Sequence, residues 1–225
     1  SDWKPAAMAI LSADRSDEET VSLLTSLERV YGTAVAARIV PGSRALIVTQ
    51  FIAALEDGEP TDAACAVSDD IRHRAAATIS RPLPQSTIRK VLLYHAMVAE
   101  QGTFPTRLPR SLGVLSGLPA APIRGIGSDV DLRAWNRRLG GLVLTTIKSR
   151  TVNQAPDWDT VARALHEVPT VGAFTVGTLP SDGGEISASA LEGRQTYLTR
   201  MILDYWNIRR DSDGVDLSRL SSSEL

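Results

Sequence analysis

The sequence predicts a mainly α protein: a two-lobed helical domain with an ordered Pro/Gly-rich crossing segment and extended N- and C-terminal arms. Three observations predict it. Apolar residues recur at three- and four-residue steps through most of the chain. Helix start and stop signals bracket those stretches, with Ser, Thr or Asp ahead and Gly or Pro beyond. One stretch, 102–127, holds five glycines and four prolines in 26 residues and interrupts the helical pattern. With 225 residues, 43% of them apolar and 22% charged, the chain is long enough to bury a proper core.

Residues 1–15 read as an N-terminal arm, extended or loosely packed, with Trp3 and Ile10 as anchors. The N-terminal helical lobe, 16–101, opens on a capping box: Ser16 caps, and Glu19 three residues on completes it. Val21, Leu24, Leu27 and Tyr31 follow at helical spacing, and Gly32 supplies a stop. A short helix over 33–40 ends at Pro41-Gly42. Ser43 then caps another, with Leu46, Ile47 and Ala54 on one side and Gly58 beyond its end. Thr61 opens a helix to about Ile79, and the proline-flanked 81–84 breaks the ladder. Ser86 begins the last helix of this lobe. Its stripe is Ile88, Val91, Leu92, His95 and Ala99, and Gly102 terminates it.

The crossing segment 102–127 keeps Phe104, Leu108, Leu112, Leu115 and Ile123, which is too apolar for a free linker. The C-terminal helical lobe, 128–210, opens with a helix over 128–150. Ser128 caps it, and Asp129 and Asp131 lie favourably against its dipole. Leu132, Trp135, Leu139, Leu142 and Thr146 form a buried face; Arg133, Arg137, Gly141 and Lys148 share a second, with Arg138 beside it. Gly140 and Gly141 each cost up to ~1 kcal/mol against alanine in a helix, which calls for the close approach of another backbone. Asp157 caps a helix closed by Pro169; 170–179 reads as a loop with some strand character and 180–185 as a turn. A long helix spans 189–209 with Leu191, Leu198, Ile202 and Tyr205 at helical spacing, and a polar tail, 211–225, follows.

Charge is distributed unevenly. Residues 1–101 carry −3, residues 102–156 carry +6 and residues 157–225 carry −5, within a net −2. Of 24 basic residues 21 are arginine, whose planar fork suits phosphate oxygens, although a GC-rich genome produces the same bias. A +6 stretch with two acids repels itself unless an anion or the acidic flanks offset it. The first option makes Arg107, Arg110, Arg124, Arg133, Arg137, Arg138, Lys148 and Arg150 the contacts of a groove for single-stranded RNA, with phosphates on the arginines.

Other classes leave less trace. Nothing approaches the ~20 apolar residues of a membrane span, and no basic-then-apolar leader opens the chain, which points to the cytoplasm or an assembled particle. A single cysteine, Cys65, excludes an internal disulfide framework and a multi-cysteine metal site. HExxH, GxSxG, a P-loop and a strand-borne GxGxxG are all absent, and no cofactor is expected. Asp70 and His73 lie within one helical turn and, with His95, define the alternative reading, a helical enzyme. A solvated face for the first two and a core histidine for the third explain the same residues. Residues 31–51 have a helix–break–helix outline with Arg44 and Gln50 as polar readers, but two core helices joined by a turn account for it equally. A helical interaction or regulatory domain, neutralised internally, is the third reading.

In layout alone the chain resembles viral nucleoproteins and filament coat proteins. It has an N-terminal arm, a helical two-lobed body, a basic centre and a tail. That resemblance implies a non-enzymatic protein that self-assembles along single-stranded RNA through arm (1–15) and tail (211–225).

Overall fold

The computed structural model describes residues 2–59, 67–83, 86–101, 111–114, 130–135, 137–145 and 187–219. These residues are mainly helical. In chain order they form α1 (Lys4–Ser12), α2 (Asp17–Ala36), α3 (Pro41–Asp57), α4 (Asp69–Ser80), α5 (Ser86–Gln101), β1 (Ser111–Val114), the single-turn α6 (Leu132–Trp135), a 3-10 turn (Leu139–Gly141), β2 (Leu142–Thr145), α7 (Ala188–Tyr205) and a 3-10 turn (Leu217–Arg219). None of the described helices is long and apolar enough to cross a membrane.

The chain divides into two compact units. Unit 1 combines Ser1–Thr78 with Trp206–Leu225, and unit 2 is Ile79–Tyr205. The boundaries therefore fall at 78/79 and 205/206, in place of the 102–127 boundary that composition suggests.

In unit 1, α1, α2 and α3 pack on one another around Ala6, Ala7, Ile10, Leu27, Val30, Val48 and Phe51. The expected extended arm is thus a helix. Pro5 sits in the first turn, where its missing N–H costs nothing, and Ala6, Ala7 and Ile10 supply an apolar face. Arg15 ties the end of α1 down by donating to the carbonyls of Ala9 (3.3 Å) and Ile10 (3.0 Å). Helix α2 starts where the capping box places it, with the Glu19 amide donating to Ser16 Oγ at 3.2 Å. It does not stop at Gly32 but runs on to Ala36, because the indole of Trp206 lies over that glycine and leaves no room for a side chain. Pro41-Gly42 opens α3 instead of closing its predecessor; Val40, not Ser43, is its N-cap residue. Gly58 ends it in the left-handed conformation at φ 70°. Helix α4 begins at Asp69, later than the Thr61 start expected; 60–66, which include Cys65, lie outside the described residues.

The C-terminal residues of unit 1 are folded as well, where a polar tail was expected. Trp206 and Ile208 are buried and Leu217 is fully so. An isolated antiparallel bridge joins Arg210 and Asp216, and the turn between them uses Gly214 at φ 80°. Asp216 fastens this turn, accepting from Arg209 Nη2 at 2.8 Å and from Ser218 Oγ at 2.7 Å. Burial of Leu217 gives the segment the anchor that its composition hides.

In unit 2, α5 and α7 pack on each other, and the 3-10 turn packs on α7. Leu83, Leu92, Leu93, Ala96, Leu139, Leu142, Leu191, Leu198, Ile202 and Leu203 are its buried apolar residues. β1 and β2 pair antiparallel, Ser111 with Thr145 through Val114 with Leu142. The single helix expected over 128–150 is therefore overturned: Leu139–Gly141 form a 3-10 turn and Leu142–Thr145 a strand, and 146–150 lie outside the described residues. β1 is the only described part of the crossing segment. The helix expected from Asp157 and the turn at 180–185 lie outside the described residues. The last helix ends at Tyr205, four residues short of expectation, and Asn207 then takes the left-handed conformation at φ 55°.

Candidate nucleic-acid interface

Gly140 and Gly141 decide how the basic residues of unit 2 are presented. A Cβ on Gly140 would overlap the carbonyl oxygen of Leu191 in α7 and lie 2.8 Å from the Trp135 ring. One on Gly141 would lie 2.5 Å from the Trp135 carbonyl oxygen. Only glycine lets the chain pass this close to α7 while folding back over Trp135.

Two side chains of α7 hold the turn there. Arg194, 1% exposed, donates through Nη1 to the carbonyls of Leu139 (2.8 Å) and Gly140 (2.9 Å). Gln195 accepts from the Gly140 amide at 2.7 Å and donates to the carbonyl of Ile79 at 3.0 Å. The Leu83 amide donates to the Arg137 carbonyl at 2.8 Å. Buried backbone groups are thus satisfied from three directions, and the stretch carrying Arg137 and Arg138 is fixed.

On that fixed stretch Arg137 is exposed, and the guanidinium of Arg138 lies 5.4 Å from the centre of the Trp135 ring. Such cation–π contact orients a guanidinium while leaving its edge free to donate. Among the described residues no carboxylate lies within ion-pair distance of Arg137 or Arg138. Arg89 of α5, absent from the sequence-based set, joins them: burial first, and then the like charge of Arg137, push its proton affinity down. Arg81 is exposed, two residues before the Leu83 that bonds to Arg137.

Of the eight basic residues expected to meet phosphate, Arg133 lies in α6, Arg137 and Arg138 are placed as above, and Arg107, Arg110, Arg124, Lys148 and Arg150 lie outside the described residues. Because the single helix is absent, Arg133 and Arg137 do not share a helix face. Hydrophobic spacing could not have found Arg89 or Arg81. Their signal was arginine beside the proline break, on the far side of the chain from the +6 segment.

Several arginines of the acidic flanks are paired within the same flank. Asp2 meets Arg44 (3.2 Å), Glu19 meets Arg15 (3.4 Å), Asp70 meets Arg74 (3.5 Å), Asp204 meets Arg200 (3.7 Å) and Asp216 meets Arg209 (2.8 Å).

The alternative set, Asp70, His73 and His95, divides between the two units. His73 belongs to unit 1, where Nδ1–H donates to the Asp69 carbonyl (2.8 Å) and Nε2 stands 3.3 Å from Asp211. His95 belongs to unit 2; its Nδ1–H donates to the Val91 carbonyl (2.8 Å) and its ring meets Tyr205 edge-on at 5.3 Å. Burial pushes the His95 imidazole down to about 4, which keeps it neutral at ordinary pH. No metal-holding cluster of His, Cys, Asp or Glu occurs among the described residues. Trp135, at 5% exposure, is a wall of the core and offers no face for a base to stack on. No family model, no curated protein and no solved structure matches this chain.

Proposed function

We propose that the protein binds single-stranded RNA non-enzymatically, through the backbone phosphates, on a basic surface of unit 2 that includes Arg89, Arg137 and Arg138. The observation that supports this reading is the disposition of charge. Arg15, Arg44, Arg74, Arg200 and Arg209 of the acidic flanks each meet a carboxylate of their own flank, while Arg137 and Arg138 stand on a pinned turn without a carboxylate partner among the described residues. A fixed pair of cations with unspent donors is what a polyanion needs, because little ordering remains to be done on binding. With Trp135 buried, the contacts are to phosphate, so the binding is sequence-tolerant. Arg107, Arg110, Arg124, Arg133, Lys148 and Arg150 belong to the same phosphate-binding set in this proposal. Self-association along the strand belongs to the proposal too. Exposed Met8 and Leu11 on α1, and Val215 near the C-terminus, support it.

The test is the affinity of a fluorescent 20-nucleotide oligouridylate, followed by anisotropy at about 50 and 200 mM salt. Affinity should drop steeply between the two concentrations, and Arg137→Glu with Arg138→Glu should weaken binding at least tenfold at the lower salt while leaving helix content unchanged. Binding that ignores both salt and the double reversal would sink the proposal.

A further inference from the structure

We infer that residues 206–219 form a pH-governed strap on unit 1, closed in mildly acidic solution and loosened as the pH approaches neutrality, with Glu28 of α2 as its trigger. The strap is seated at one end by Trp206, whose indole rests against Gly32 and whose Nε1–H donates to Glu28 Oε1 at 2.9 Å. Its other attachment is to the start of α4. Asp69 accepts from the amide and hydroxyl of Ser212, Arg72 Nη1 donates to the Arg210 carbonyl at 3.1 Å, and His73 Nε2 stands 3.3 Å from Asp211. Leu217 plugs the strap into the unit between these points of attachment.

Glu28 is the one group in this contact that burial sets against its own charge. Its Oε2 is shut off from water, and burial pushes the carboxyl up to about 7, against the hydrogen bond from Trp206 and the charge of Arg29. Arg29 of its own helix and the Trp206 indole of the strap are among the groups that act on it. Most of the strap's other charges are engaged elsewhere, Arg209 and Arg219 with Asp216, Arg210 with the Gly214 carbonyl, and Asp211 with His73; Asp213 also lies on the strap. Releasing the strap returns Glu28 to water, where it ionises readily. Closure therefore takes up a proton: it is favoured in full below the ordinary carboxyl range near 4.5 and is lost as the pH rises through about 7.

Peptide-resolved hydrogen exchange on the full chain, corrected for the intrinsic pH dependence of exchange, tests this. Protection of the amides in 206–219 should fall on the order of a hundredfold between about pH 5 and 7.5. Glu28→Gln should hold that protection near the acidic level across the whole range. His73→Gln should keep most of the fall. Constant protection in the unmodified chain, or a fall preserved in Glu28→Gln but lost in His73→Gln, overturns the assignment. Should Glu28→Gln not fold, the carboxyl carbon of Glu28 can be titrated by NMR in the unmodified chain. Its midpoint should coincide with that of the strap, and a separation of more than about one pH unit overturns the proposal.

Discussion

Arg194 is the residue on which most of unit 2's geometry turns, and nothing about it is visible in the sequence. It lies in a helix whose polar residues read as a solvated face, yet it is 1% exposed and spends its donors on two main-chain carbonyls. Both bonds leave one nitrogen, Nη1, so a lysine could keep them only if its shorter, more flexible stem placed the ammonium at that same point, and it would lose the packing of the guanidinium plane. Arg194→Lys should cost about 2 kcal/mol and Arg194→Met about 3 kcal/mol or more, read as the midpoint shift in urea denaturation. A change under about 0.5 kcal/mol for Arg194→Met would show that the two bonds contribute little. The glycines opposite were legible in part. Their cost in a helix signals the close approach of another backbone, and that backbone is Leu191 of α7. What the sequence could not reveal is that the same crowding dissolves the helix. Gly140→Ala should destabilise by about 3 kcal/mol on the same assay, since a carbonyl oxygen must move to admit the methyl group.

At the scale of elements, α2, α5 and α7 were legible in existence and near enough in extent, because their apolar spacing is long and unambiguous. The errors have two sources: a local signal that reads two ways, and a distant contact that overrules the local one. Gly32 reads as a terminus and is instead a landing place for Trp206; Pro41-Gly42 reads as a break and is instead a first turn. Leu139 and Leu142 fit a helical step, but the β-prone residues after them pair with β1, and no local count contains that partner. Two mid-helix glycines now make opposite predictions. A Cβ at Gly193 in α7 would meet nothing within 4 Å, so Gly193→Ala should stabilise by about 0.5–1 kcal/mol. A Cβ at Gly32 would lie 3.0 Å from Trp206 Cζ2, whose ring is held by Glu28, so Gly32→Ala should gain nothing and lose about 1 kcal/mol. Thermal melts of the two variants side by side check the contrast. Equal shifts would mean that the indole yields.

For the molecule as a whole, the two units should respond to acid in opposite senses. Unit 1 contains Glu28, raised to about 7 from 4.5, so its stability declines as the pH climbs through that interval. Unit 2 contains His95, lowered to about 4 from 6.5, so its stability is complete above 6.5 and declines as the pH falls toward 4. Below the carboxyl range unit 1 weakens as well, because Arg209 and then Ser218 hold Asp216 far under its usual value. Hydrogen exchange of α2 and α7 amides at about pH 5 and pH 7, corrected for intrinsic rates, should rank them oppositely, and His95→Gln should flatten the response of α7. Parallel responses would rule out independent titration. The proposed basic surface was legible only as a composition, since Arg89 lies outside the +6 segment and comes within reach of the charge of Arg137 only on folding.

Unit 1 is assembled from both extremities of the sequence, and Trp206 meets Glu28 across 178 positions. During synthesis the ribosome must therefore deliver all of 79–205 before the first 78 residues can receive their final strands of contact. The intervening unit has time to fold beforehand, and doing so shortens the span whose closure entropy must be overcome. A nascent chain stalled before Trp206 emerges would leave Gly32 without the indole that covers it.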